Sequence, residues 1–298
     1  MRRYPTCCAR KCRRRCKALA LLTFLTSSPT QPIKDQASTE SRSVFSIIAH
    51  IKSPFRERRG TPRQGSIVPL ARACIVFDKA LVNAPSLETL NQFSHIWVIF
   101  LFHENTNAQR VLSNGSGKAS TFTAKISPPR LHGKKVGVFS TRSPHRPNPI
   151  GLTMVRLDSV DAAAMTLRIS AVDLMEGTPV LDVKPVIPYD VPIDLSVPDW
   201  VREPDVRARP VNFTPEAAAS LEDLGFASER PCCRFYPDTD AYRAAAASVL
   251  VHDIRSVHQG RGTATGAGGA DYEVCFDGLR LWFVTGAEEI TVRRVERA

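Results

Sequence analysis

No stretch of this 298-residue chain approaches the roughly twenty consecutive apolar residues that a helix needs to cross a bilayer, so no helical membrane span and no membrane partner are expected. No G-x-G-x-x-G occurs, which removes the phosphate turn of a doubly wound Rossmann sheet. The glycine cluster within residues 260–269 has no helix after it and reads as a hairpin loop. C-x-x-C pairs at zinc spacing are also missing. Of the eight cysteines, Cys7, Cys8, Cys12 and Cys16 crowd the N-terminus, and Cys74, Cys232, Cys233 and Cys275 are scattered; they read as reduced thiols of an intracellular protein, with no metal site. Without a G-x-S-x-G elbow, a hydrolase reading of Ser140, Ser143 and His145 lacks its structural support.

Acid is missing from the first 34 residues, which carry nine Lys and Arg. An Arg-rich, hydroxyl-rich start over residues 1–42 fits an organellar transit peptide; a secretory apolar region and a disordered basic extension fit it too, so the location is read as cytoplasmic or mitochondrial. The net charge of +11 is uneven. Residues 50–150 hold fifteen basic and four acidic side chains, and the chain beyond them is net acidic. The central third therefore suits a polyanionic partner.

Strand signals dominate the body. Residues 44–51, 71–77, 93–103, 153–157, 165–172 and 180–185 are β-branched, aromatic or alternating, and 93–103 is the most hydrophobic of them. Helices are few: residues 86–92 predict a short one, and Thr214-Pro215-Glu216 supplies cap, first-turn proline and acid for another that Gly225 stops. A third is expected over 242–250. Strands are expected over 253–258, 272–276 and 279–284, the last two joined by an Asp277-Gly278 turn. Five prolines within 186–210 mark a linker. The pattern favours a mainly β fold: a barrel-like domain over residues 43–200, followed by a small α+β domain over 201–298.

The most informative run is Val136 through Leu152, VGVFSTRSPHRPNPIGL. A strand is expected over 136–139, then a loop with Arg142, His145, Arg146 and three prolines but no acid, then a second strand. Prolines fix φ near −65°, so little entropy is lost when an anion docks on such a loop. Pro62-Arg63-Gln64 follows an arginine-rich loop, His103-Glu104 leaves the most apolar strand, and Glu176-Gly177-Thr178-Pro179 is a turn before a strand that places Asp182 and Lys184 on one face.

These segments together resemble the TsaA/TrmO-like family, S-adenosylmethionine-dependent methyltransferases that modify an adenosine beside the tRNA anticodon. VFSTRSPHRPNPIGLT is similar to its signature; SPF with a later PRQ, the F-H pair and LDVKP match further segments. Glu176 stands where the family has aspartate. The resemblance implies an all-β, non-Rossmann barrel working as a homodimer. It also implies S-adenosyl-L-methionine held by Pro62, Arg63, Gln64, His103, Glu104, Arg142, Leu152, Glu176, Gly177, Thr178 and Pro179. Asp182 or Glu104 would take the proton in a transfer to N6 of threonylcarbamoyladenosine, with Arg146, Lys134 and Lys135 on tRNA phosphates. The alternative is a non-catalytic binding module on the same fold.

Overall fold

The structure, a computed structural model, describes residues 45–104, 123–128, 131, 133–190, 192–202, 209–252, 254 and 271–298. The leader expected over 1–42, the glycine cluster within 260–269 and nearly all of the strand expected over 253–258 lie outside them. Residues 45–298 form one unit.

Six strands close a barrel: β1 (Ala49–Lys52), β2 (Arg72–Phe77), β3 (His95–Leu101), β6 (Ile150–Asp161), β7 (Thr166–Ser170) and β8 (Pro179–Pro185). Around the barrel they run β1-β2-β7-β6-β3-β8, every pair antiparallel, with β8 returning to β1. Closure leaves no sheet edge open. The alternation read in the sequence is the alternation of the wall. In β6, Gly151, Thr153, Val155 and Leu157 face inward; in β3, Ile96, Val98 and Phe100 do. With Ile51, Ile75, Leu167, Ile169 and Val180 they make the barrel core. The expected mainly β, non-Rossmann barrel is the observed one.

Local boundaries differ for identifiable reasons. The strand expected over 44–51 begins only at Ala49, where pairing with Phe77 and Val180 starts. The helix expected over 86–92 is two 3₁₀ turns, Ala84–Leu87 and Leu90–Gln92, separated by Thr89 at φ +63°. The strand expected over 136–139 stops at Gly137 as β5 (Val136–Gly137), paired with β4 (Lys125–Ile126). Val138–Ser140 coils instead, because the Thr141 N–H and hydroxyl both donate to the Val138 carbonyl at 3.2 and 2.7 Å.

After the short helix α1 (Asp199–Arg202) comes a second sheet, in the order β10 (Tyr272–Phe276), β11 (Leu279–Thr285), β12 (Ile290–Arg297), β9 (Val211–Phe213). Asp277 and Gly278, at φ +45° and +83°, make the predicted tight turn. Helices α2 (Pro215–Glu222) and α3 (Thr239–Leu250) contribute Leu221, Tyr242, Val249 and Leu250 to this sheet's core. Thr214 caps α2 as expected, accepting from Ala217 N, but the helix ends at Glu222 and a π turn (Asp223–Ala227) carries the chain past Gly225. The same core takes in Phe55, Val68 and Ala71 from the loop between β1 and β2.

No helix among the described residues is long and apolar enough to cross a membrane.

Candidate functional site

Antiparallel neighbours place the C-terminal ends of β1, β3 and β7 and the N-terminal ends of β2, β6 and β8 at one end of the barrel. The three loops that carry the motifs leave from that end: 53–71, 102–149 and 171–178. The topology therefore gathers three segments that the sequence keeps apart.

The signature loop is stapled by its own groups. Ser143 N donates to Thr141 Oγ1, His145 N to Ser143 Oγ, and Arg146 N to the Pro144 carbonyl. Arg146 turns inward: Nη1 donates to the carbonyls of Thr141 at 2.7 Å and Val138 at 3.3 Å, and its guanidinium lies 5.3 Å over the Phe139 ring. Arg142 is exposed, as are Lys134 and Lys135 on the adjoining stretch. The rigidity expected from three prolines is thus reinforced by hydrogen bonds that leave Arg142 facing out.

Across the mouth, Pro62 is buried, Arg63 exposed and Gln64 half-buried, leading into the 3₁₀ turn Gly65–Ile67. Gly65 allows a close approach: a Cβ there would lie 1.9 Å from the Ala171 carbonyl oxygen. Between these loops sits Asp173, which belongs to none of the motifs in the sequence. Its Oδ1 accepts from the hydroxyl of the buried Thr153 at 2.8 Å. Burial raises the pKa of this carboxyl, against the downward pull of Thr153, its own N–H, the Gly65 N–H and Arg142. Arg142, 31 residues away in sequence, is near enough to favour the charged form of Asp173, the smallest of these effects. No local pattern marks Asp173, because its partners come from β6 and from the loop after β1.

The 176–179 turn closes the third side. Glu176 N donates to the Phe55 carbonyl and Gly177 N to the Ile51 carbonyl; Gly177 holds φ +77°, and the buried Thr178 hydroxyl donates to the Met175 carbonyl. Glu176 Oε2 accepts from Ser53 N at 2.7 Å, so this carboxylate reaches back toward β1. His103 and Glu104 stand beside the mouth with Nε2 and Oε1 3.9 Å apart, and Arg58 donates to the Glu104 carbonyl.

Two predicted residues lie elsewhere. Leu152 and Asp182 flank Ile99 on the outside of the wall, in register across β6, β3 and β8. Asp182 accepts from Lys184 Nζ at 2.9 Å and from Val183 N, and this bond is the main cause of a raised Lys184 pKa. Ile150, Leu152 and Met154 form an exposed apolar stripe there, 37%, 52% and 36% exposed. The structure thus gathers the PRQ, His-Glu, Arg142 and Glu-Gly-Thr-Pro segments, and leaves Leu152 and Asp182 on the flank.

The family model described as the tRNA-methyltransferase O N-terminal domain matches residues 50–191. Over 153 residues the chain is 48% identical to a mouse tRNA (adenine(37)-N6)-methyltransferase, half of this chain but only 32% of that protein, so the chain spans about a third of the mammalian relative's length. It is 32% identical over 183 residues to the Escherichia coli tRNA (adenine(37)-N6)-methyltransferase, covering 60% of this chain and 73% of that one. The crystal structure of TrmO from Pseudomonas aeruginosa superposes with a TM-score of 0.61 at 27% identity, over 85% of this chain and 98% of the other. The barrel end, the signature loop and the coverage of the bacterial protein agree: the chain belongs to the tRNA-methyltransferase O family.

Proposed function

We propose that this protein methylates N6 of adenosine 37 in tRNA, using S-adenosyl-L-methionine, and that the base it takes is already threonylcarbamoylated. The observation that carries this is the convergence of the three signature segments at one barrel end. This mouth fits the donor's chemistry: a guanidinium suits its carboxylate, carboxylates suit its positive centres, and the space beside Gly177 is open, with no atom within 4 Å of where a Cβ would stand. When bound, the donor supplies a methyl carbon activated by a sulfonium.

The chain supplies placement and proton handling. Arg142 holds the anionic end of the donor or a nearby phosphate, and Gly177, Thr178 and Pro179, with the 62–64 triplet, surround the adenosyl part. The exposed Lys134 and Lys135 neutralise tRNA phosphates, whereas Arg146, turned inward onto the Val138 and Thr141 carbonyls, holds the loop. A carbamoylated N6–H is more acidic than a plain adenine amine, so a carboxylate suffices to accept its proton. Glu104 stands at the mouth and Asp182 on the apolar flank. A homodimer that covers Ile150, Leu152 and Met154 brings Asp182 into an enclosed site, which supports two copies working together. Residues 43–200 carry the transfer, and the activity is intracellular.

The test mixes the protein with threonylcarbamoylated tRNA and isotope-labelled donor and reads label in digested nucleosides by mass spectrometry. Label on the modified adenosine beside the anticodon is the expected result. Label on unmodified adenosine instead would remove the threonylcarbamoyl requirement, and donor binding without label would leave a binding module. Glu104→Gln and Asp182→Asn separate the two proton acceptors, since the acceptor's variant loses kcat while retaining donor affinity.

A further inference from the structure

Arg234 lies in the segment before α3, far in sequence from every motif at the mouth, yet it joins three parts of the molecule. Its backbone N–H and that of Phe235 donate to Asp277 Oδ2 at 2.8 and 3.0 Å, and its Nε lies 3.8 Å from Asp277 Oδ1. Nη2 donates to the Ser53 carbonyl at 3.3 Å and to Glu176 Oε2 at 3.4 Å. Glu176 in turn holds Ser53 N, with Lys52 Nζ 3.4 Å from its other oxygen. Asp277 N donates to the Pro54 carbonyl, so the hairpin of the second sheet rests on the end of β1 where the 176–179 turn is also fastened.

We propose that Arg234 is a positioning residue for the donor turn: through Glu176 it ties the 176–179 turn to the Asp277 hairpin, so that donor affinity depends on the C-terminal sheet. This rests on the reading that the turn lines the donor site. Lys52 also reaches Glu176, but it belongs to the barrel itself; Arg234 alone, among the described contacts of Glu176, brings the second sheet to it. A glutamate serves here because its carboxylate must reach the Ser53 N–H and the guanidinium together.

Loss of Arg234 also removes the cation facing the fully buried Asp277 carboxylate, which destabilises the fold through an uncompensated charge. Two full-length variants separate the effects. Arg234→Met should lower both stability and donor affinity. Arg234→Met with Asp277→Asn relieves the buried charge and should recover most of the lost stability, yet keep a donor KM about tenfold above wild type, the effect of losing one charge-assisted contact. Its kcat should stay near wild type, and Arg234→Lys should restore part of the KM. Hydrogen exchange at the Ser53, Glu176 and Gly177 amides should be faster in the double variant. A double variant with the wild-type donor KM overturns the proposal. If the wild-type protein takes no donor, the donor-site reading fails, and unchanged exchange in the double variant then overturns the coupling as well.

Discussion

Asp277 is an acid with no exposed surface, placed in a turn that its own backbone conformation favours. Burial is the main force raising its pKa above the ordinary 3.8, with the Phe235 and Arg234 N–H groups, the Arg234 charge and Arg56 pulling the other way. A raised value in the folded state means that folding takes up a proton, so this residue's contribution to stability falls as pH rises from the ordinary carboxylate value through the raised one. Asp277→Asn keeps an acceptor for the two N–H groups and carries no charge at any pH. Urea unfolding should therefore show wild-type stability, relative to the variant, declining as the pH rises above about 4 and levelling once the pH passes the raised value. A difference that rises over that range would mean that Arg234 outweighs burial. At the mouth, Arg142→Ala removes an exposed charge and should weaken donor binding by roughly tenfold in calorimetry, the size of one charge-assisted hydrogen bond. Unchanged donor affinity would move Arg142 from the donor to the tRNA.

β6 shows how one element serves both core and site. Its inward residues fill the barrel, its outward residues make the apolar stripe, and its N-terminal end receives the signature loop. Gly151 is the junction: a Cβ there would fall 2.1 to 2.6 Å from the ring atoms of the buried Phe100 on β3. Gly151→Ala should cost about 1–3 kcal/mol through overpacking, read as a Tm lowered by several degrees in a scan. No change in Tm would mean that the ring slides aside without cost. Period-two alternation made β6, β7 and β8 legible, since burial on one face imposes it, while β3 was legible from its hydrophobicity, although only one of its faces is buried. The 84–92 and 138–140 turns were less legible. A single side-chain bond from Thr141 and one left-handed residue at Thr89 decide them, and neither leaves a periodic trace.

At the scale of the whole molecule, the two sheets share the loop between β1 and β2, with Phe55, Val68 and Ala71 in the second core while Ile51, on β1, belongs to the first. The C-terminal region is therefore part of the support of the barrel mouth. The exposed stripe on the flank leads to a concentration test: activity per protomer should fall on dilution through the dissociation range measured by sedimentation, with Leu152→Glu moving that range to higher concentration. Specific activity that stays constant across dissociation would place the complete site in one copy.

The sequence by itself determined the barrel class, the basic central third, the helix capped by Thr214 and the motifs that define the family. These depend on local pattern and composition, which a chain carries whatever its partners. Only the tertiary structure decided that three loops meet at one end, that Asp173 accepts from Thr153, that Arg146 turns inward, and that Arg234 holds Glu176 from the second sheet. Each of those pairings joins residues close in space through strand order and barrel closure, and closure sets distances that no sequence spacing encodes.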